Sequence, residues 1–138
     1  MTLDEMVTMV QQQAREIARR REHQPLVMLL KGEDVIPVLM RGDLPRNVLP
    51  RVLAGEQPEA YVSIMEARFS YRRAAYDGEI SDNPENPELL VMVACERGGT
   101  ARLWTADIRP SDNPGEREVG LWEEAPAGMS GDLIIENW

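Results

Sequence analysis

Residues 89–109 read LLVMVACERGGTARLWTADIR, and this stretch decides the fold. Residues 89–97 and 101–109 are rich in aliphatic, β-branched and aromatic side chains, and Gly98-Gly99-Thr100 separates them. Runs of this length and composition are typical of strands, and paired glycines between two runs indicate a tight hairpin turn. The stretch therefore predicts two neighbouring antiparallel strands.

A second hairpin is predicted upstream. Apolar residues 26–30 and 35–40 surround the turn signal Gly32-Glu33-Asp34. Pro37 cannot donate a ladder hydrogen bond, so its strand is expected to lie at an edge or to contain a bulge. Further strands are predicted at residues 60–70 and 119–123. The short apolar segment 133–135 either forms one more strand or covers an edge.

Two helices are predicted from capping and periodicity. Thr2 and Glu5 have the spacing of a capping box, and apolar residues then recur every three or four positions to Ala18. The outer face of this helix is expected to carry Gln11, Gln12, Arg15, Glu16 and Arg19. Residues 43–55 have a similar spacing, with Gly55 as the stop signal. Pro50 requires either that this second helix begins near residue 47, which places Pro50 in its first turn, or that the helix is kinked.

The order α-β-β-α-β-β-β-β predicts a single α+β domain over residues 1–138. We expect a mostly antiparallel sheet of five to seven strands, with both helices packed on one face. The passage through the second helix is where a parallel crossover can occur. Residues 71–88 contain closely packed turn signals and are expected to form a long loop.

Charge limits the classes of partner. The chain has a net charge of −9, and residues 76–138 contain four Arg against fourteen Asp and Glu. An acidic surface repels phosphate backbones, so no nucleic-acid partner is expected, whereas a basic protein partner would fit. No apolar run approaches the ~20 residues of a membrane span. The single cysteine, Cys95, excludes an internal disulfide and fits a reducing cytoplasm.

Common catalytic and metal-binding motifs are absent from the sequence. It contains no nucleotide-binding glycine motif, no HExxH and no GxSxG, so no cofactor is expected. His23 is the only histidine, and a cation near the end of the first helix is its simplest interpretation. The acidic residues 77–88 do not match a calcium-binding loop, so no metal site is expected. Glu66, Glu96 and Asp107 fall in or beside strands, where carboxylates can act as an acid/base pair or simply face water.

Residues 65–73, MEARFSYRR, form the strongest candidate site. They join a predicted strand to the long loop and contain a carboxylate, three arginines and two aromatic rings. Arginine binds carboxylate or phosphate through two parallel hydrogen bonds, and loops at strand ends often carry function. The predicted ligand-binding residues are Glu66, Arg68, Tyr71, Arg72 and Arg73. The structural alternative is a ladder of Arg-Glu ion pairs with the acidic loop.

Four short motifs resemble segments of small uncharacterised bacterial proteins. They are Glu66-Ala-Arg-Phe69, Pro87-Glu-Leu-Leu90, Gly98-Gly99 and Ile108-Arg-Pro110, and together the resemblance covers about half of the chain. Such proteins often have Trp shortly after the glutamate, where this sequence has Arg68-Phe69. The resemblance implies no particular activity.

Two functions remain open from the sequence. The first is a binding or assembly module without catalytic activity, which forms a homodimer through an edge strand or the first helix, or which takes a basic protein partner. The second is an enzyme or sensor that binds a small anionic metabolite at an arginine-lined pocket. The missing catalytic motifs favour the first.

Overall fold

A computed structural model of the protein describes residues 1–40, 45–68, 88–126 and 134–138. The described residues form two helices, α1 (Leu3–Arg20) and α2 (Pro45–Glu56). They also form seven strands, which in chain order are β1 (Leu26–Lys31), β2 (Asp34–Leu39), β3 (Ala60–Arg68), β4 (Glu88–Glu96), β5 (Arg102–Pro110), β6 (Arg117–Val119) and β7 (Glu123–Glu124). The α+β class and the mostly antiparallel sheet are confirmed.

The strands form one antiparallel sheet in the order β2-β1-β3-β4-β5-β6, and β7 also pairs with β5. β3 and β4 pair along all nine residues, from Ala60 opposite Glu96 to Arg68 opposite Glu88. β2 and β3 are both antiparallel to β1, so they are parallel to each other. α2 therefore makes the parallel crossover that the sequence allowed, and it passes over one strand.

Glycine shapes both predicted hairpin turns. Gly32 has a φ of 64° in the two-residue turn between β1 and β2, and Gly98 has a φ of 79° between β4 and β5. In a two-residue hairpin the closing pair, here Lys31 and Asp34, is hydrogen-bonded, and the bonding alternates along the strands. Pro37 consequently falls at a position whose backbone nitrogen faces away from β1. It lies on an edge strand, as its missing N–H requires.

The two helices cover opposite faces of the sheet, which corrects the expectation that both lie on one face. Val10 of α1 packs in one core cluster with Met92, and Leu53 of α2 packs in the other with Val91. Consecutive strand residues point to opposite sides, and β4 is apolar on both. A strand of this kind needs a layer on each face, because either face alone would leave apolar surface in water.

The second helix begins and ends differently from its prediction. It begins at Pro45, so Pro50 lies inside it rather than in its first turn. It continues through Gly55 to Glu56, and the residue with left-handed backbone is Gln57, whose φ is 48°. The Gln57 N–H donates to the Leu53 carbonyl at 2.9 Å and caps the helix.

The C-terminal residues pack on the α2 side of the sheet. The Tyr61 hydroxyl donates to the Ile135 carbonyl at 2.7 Å and accepts from the Ile135 N–H at 3.0 Å. The Trp138 ring lies edge-on to Tyr61, and its Nε1–H donates to the Pro58 carbonyl at 2.9 Å. Residues 134–138 therefore cover a core face instead of adding a strand. Within the described parts of the chain, neither helix is long and apolar enough to cross a membrane.

Candidate functional site

The C-terminal half of α1 is attached to the segment that contains β6. Arg15 Nη2 donates to the Val119 carbonyl at 3.0 Å, and Trp122 Nε1 donates to the Gln11 carbonyl at 3.0 Å. The Gly120 N–H donates to the Asp107 carbonyl, and the antiparallel alternation then directs the Val119 carbonyl away from β5. Arg15 therefore satisfies a carbonyl on the outer edge of β6, which would otherwise be an open sheet edge.

Arg117 uses all five of its N–H donors inside the protein. Its Nε donates to the Ala18 carbonyl at 2.9 Å, and its Nη2 donates to the Arg21 carbonyl at 2.9 Å. The other contacts run from Nη1 to Glu66 Oε2 at 3.2 Å, from Nη1 to Glu88 Oε1 at 3.5 Å, and from Nη2 to Glu66 Oε1. The two carbonyls belong to the end of α1, where the helix cannot satisfy its own acceptors. Arg117 thus caps α1 and joins it to β3 and β4, and it has no donor left for a ligand.

Glu66 is the buried partner in this cluster. Its side chain is 7% exposed and that of Arg117 is 24% exposed. A second donor, the His23 backbone N–H, reaches Glu66 Oε1 at 3.0 Å. The hydrogen bonds that Arg117 donates to Glu66, and the negative charge of Glu66, raise the pKa of Arg117 above its ordinary value. The buried carboxylate thus has both a cation and a backbone donor as partners.

His23 is buried beside the same cluster. Its Nδ1 lies 2.8 Å from the Gln24 carbonyl, which requires the proton to be on Nδ1. Burial lowers the pKa of His23, although the Gln24 carbonyl and the Glu66 charge act in the opposite direction. His23 lies just beyond the end of α1, as expected, but it is buried, and burial disfavours the charged form that the sequence suggested.

The structure describes only part of the predicted ligand-binding set. Glu66 lies in β3 and is bonded to Arg117 and His23. The backbone of Arg68 ends β3, but its side chain falls outside what the structure describes. Tyr71, Arg72 and Arg73 lie outside the described residues, as does most of the predicted loop 71–88. Their ligand-binding role stays a prediction.

A polar groove lies between α1 and β6, with a volume of about 570 Å³. We call it the α1–β6 groove. It is lined by Arg15 and Arg19 of α1, Asp107 and Arg109 of β5, Ser111, Asn113 and Glu116 of the following turn, and residues 117–120. The volume lies in the range of small-molecule sites, roughly 300–1,000 Å³.

Arg15 is the groove cation that has no counter-ion among the described residues. Its guanidinium is partly buried, and its Nε is fully buried without a hydrogen-bond partner in the described structure. No carboxylate among the described residues pairs with it. A buried donor without a partner costs about 1–3 kcal/mol, and the side chain that carries it lines the α1–β6 groove.

The other groove arginines are already paired. Arg19 Nη1 lies 3.3 Å from Glu16 Oε2, and Arg109 Nη2 lies 3.3 Å from Asp107 Oδ2. Both side chains are mostly exposed, and exposed pairs of this kind exchange partners at little cost. Arg19 and Arg109 can therefore turn toward an anion, whereas Arg117 is held in place by five bonds.

The remaining reactive groups do not form a centre. Among the residues that the structure describes, no group of three or more His, Cys, Asp or Glu side chains could hold a metal ion. Cys95 is buried, and burial raises the pKa of its thiol to about 11. Of the strand carboxylates, Glu66 is in the Arg117 cluster, Asp107 pairs with Arg109, and Glu96 lies at the end of β4. No acid/base pair is formed among these three.

Sequence reasoning missed both Arg15 and Arg117. Arg15 was assigned to the outer face of α1, because its helical position lies beside the apolar stripe rather than in it. Arg117 stands in an acidic, turn-rich segment and is separated by 51 positions from Glu66. No local pattern marks a residue whose partners are so distant in the chain.

The motifs that resemble small bacterial proteins occupy ordinary positions in the fold. Gly98-Gly99 forms the β4–β5 turn, and Ile108-Arg-Pro110 ends β5. Comparison of the chain with protein-family models, curated proteins and solved structures found no match. The resemblance stays an expectation.

Proposed function

We propose that the protein is a small binding module that takes an anionic ligand in the α1–β6 groove. The observation that carries the proposal is Arg15, a partly buried guanidinium with a buried, unpartnered Nε and no carboxylate partner in the described chain. Guanidinium groups bind carboxylate and phosphate through charge-assisted hydrogen bonds. Arg19 and Arg109 line the same groove and add to its positive charge.

The overall charge makes this groove distinctive. The chain has a net charge of −9, yet the α1–β6 groove contains four arginines against three carboxylates. Glu66 compensates the charge of Arg117, so Arg15, Arg19 and Arg109 are the cations that an anion would meet in a chain whose net charge otherwise repels it. The proposal combines the non-catalytic module favoured from the sequence with the small anionic ligand of the alternative hypothesis, at a different set of arginines.

The proposal is for binding without catalysis. The described groove residues include no histidine, cysteine or lysine. The carboxylates and the Ser111 hydroxyl, which could act as base and nucleophile, form no hydrogen bond with one another in the described structure. A cytoplasmic location belongs to the same proposal and is supported by the single unpaired cysteine.

Self-assembly receives less support from the geometry. On the outer edge of β2, Pro37 has no N–H to offer where a second strand would pair. The large apolar side chains that are exposed in the described structure are Met1, Leu39 and Leu121, which belong to three different segments. Scattered residues of this kind do not form the contiguous patch of a homodimer interface. A basic protein partner stays a proposal supported by the acidic C-terminal half.

Calorimetric titration and thermal unfolding with phosphate, sulfate and citrate, at matched ionic strength, test the proposal. A ligand at ten times its Kd should raise the Tm by roughly 3–6 °C. Arg15→Gln should remove this shift. Arg20→Gln is the matched control, because Arg20 does not line the groove and its side chain is 75% exposed.

A second variant separates lost binding from lost folding. Arg109→Gln changes an exposed side chain that lines the groove, so it should leave the fold intact and weaken binding several-fold. Failure of every anion to give a saturable shift would overturn the proposal. A shift that persisted in both Arg15→Gln and Arg109→Gln would place the anion elsewhere.

A further inference from the structure

The α1–β6 groove is polar along almost its whole lining. Besides its arginines it contains the carboxylates of Asp107, Glu116 and Glu118, the Ser111 hydroxyl and the Asn113 amide. Val119 is the one large apolar residue that the groove contains within the described chain. Small-molecule sites are usually lined by apolar and aromatic groups, which bind flat rings and alkyl chains. This lining offers no surface of that kind.

The carboxylates do not suit a simple anion. A bare phosphate or sulfate gains from arginine and loses from each nearby carboxylate, because like charges repel. A ligand that also carries hydroxyl groups gains from both, since an ionised carboxylate accepts hydrogen bonds from O–H donors. The lining therefore matches an anionic group joined to several hydroxyls.

Glu118 is the acceptor best placed for such hydroxyls. Its side chain is exposed and forms no hydrogen bond or ion pair with the described residues. It lies directly opposite Arg109 in the pairing of β5 with β6. The Arg109 guanidinium and the Glu118 carboxylate, which is unpaired among the described residues, thus lie on neighbouring strands at the groove. A ligand with an anionic group and hydroxyl groups requires a donor and an acceptor of this kind.

We propose that the ligand of the α1–β6 groove is a polyhydroxylated anion, a sugar phosphate or a sugar acid. The anionic group binds Arg15 with Arg19 or Arg109, and the hydroxyls donate to Glu118 and Glu116. This inference rests on the proposed function and narrows it to one ligand class. The volume of about 570 Å³ is large enough for a five- or six-carbon sugar chain with its anionic group.

Calorimetric titration with matched ligands tests the inference. Ribose 5-phosphate is compared with inorganic phosphate, and gluconate with acetate, so the two comparisons distinguish a phosphate source from a carboxylate source. If the hydroxyls form two additional hydrogen bonds, one hydroxylated ligand should bind at least ten-fold tighter than its simple anion. That ligand is ribose 5-phosphate compared with phosphate, or gluconate compared with acetate. Glu118→Gln should remove most of that gain and leave phosphate or acetate unchanged. Glu123→Gln, an exposed glutamate outside the groove, is the control.

The outcomes separate the two proposals. Equal affinity within both pairs, with binding still lost in Arg15→Gln, overturns the inference and keeps the anion site. Tighter binding of phosphoethanolamine than of ribose 5-phosphate overturns it in favour of an amine that pairs with the carboxylates. Tighter binding of AMP than of ribose 5-phosphate overturns it in favour of a ring-binding surface. Failure of all ligands to bind overturns both proposals.

Discussion

Arg117 of β6 and Glu66 of β3 form a two-pronged ion pair at the end of α1. The same guanidinium has no N–H left to bind water or a ligand. Its remaining donors bind the Ala18 and Arg21 carbonyls and Glu88. One side chain thereby connects a helix end with two strands of the sheet. Four predictions follow from this contact and from three other buried groups.

Removal of Arg117 should strongly destabilise the protein. Arg117→Ala leaves the buried Glu66 carboxylate without its cation and two helix carbonyls without a donor, so we expect a loss of about 3–5 kcal/mol in the free energy of unfolding. Arg117→Lys should recover only part, because an ammonium cannot form the paired bonds of a guanidinium. Urea unfolding measures both. Arg20→Ala, on the exposed side of α1, should change the free energy by less than about 0.5 kcal/mol. A loss below about 1 kcal/mol for Arg117→Ala would contradict this role.

His23 should make the protein less stable as the pH falls below neutrality. Its pKa in the folded protein is lowered by burial, while the unfolded chain has the ordinary value of about 6.5. Below that pH the unfolded state takes up a proton that the folded state resists, so stability is lost on acidification and regained on raising the pH. The slope for one proton cannot exceed about 1.4 kcal/mol per pH unit.

The His23 prediction is checked by urea unfolding between pH 7.5 and 5.5. Since His23 is the only histidine, His23→Gln should flatten the stability profile over this range. The charge of Glu66 raises the pKa of His23 and the charge of Arg21 lowers it, so both residues are kept in the variant. Identical profiles for the wild type and the variant would show that the imidazole is not the group responsible.

Cys95 should react slowly in the native protein. Its thiol is buried in the sheet, and its pKa of about 11 leaves about one thiolate in a thousand at pH 8. In the native protein, a disulfide reagent should modify Cys95 only as fast as the protein unfolds around the thiol. In urea, the same reaction should be complete within seconds. The reaction is followed by the absorbance of the thiolate that the reagent releases. Rapid modification without denaturant would mean that the thiol is accessible.

Tyr61 should hold the C-terminal residues on the sheet. Tyr61→Phe removes both hydrogen bonds to the Ile135 backbone, and we expect a loss of about 1–3 kcal/mol. Trp138→Phe keeps an aromatic ring but loses the hydrogen bond to the Pro58 carbonyl. It should therefore lower the free energy of unfolding by about 1 kcal/mol. Amide hydrogen exchange at Ile135 reports the docking directly. Unchanged protection of that amide in Tyr61→Phe would show that packing alone holds the segment.

Local elements were predicted well because their signals are local. The capping box at Thr2 and Glu5 is formed, and α1 begins at Leu3 as expected. The glycine turns at Gly32 and Gly98 join the strands they were predicted to join. In each case the residues that determine the backbone conformation are within four positions of one another.

The candidate site was predicted less well, because its contacts are long-range. Glu66 was chosen from the sequence for its neighbours in residues 65–73, but among described residues its cation is Arg117. Arg15 was expected on the outer face of α1, whereas it binds the Val119 carbonyl 104 positions away. Neither partner can be found from composition or spacing.

The sequence by itself determined most of the elements of this protein, the α+β class and the net negative charge, because helix caps, glycine turns and apolar runs act within a few residues. The exception is the strand predicted at residues 119–123, which is replaced by the short strands β6 and β7. Only the tertiary structure decided which face each helix covers and which arginine has no counter-ion among the described residues. The physical reason is that burial and ion pairing depend on distance in space, and two residues with no relation along the chain become neighbours only when the sheet has formed.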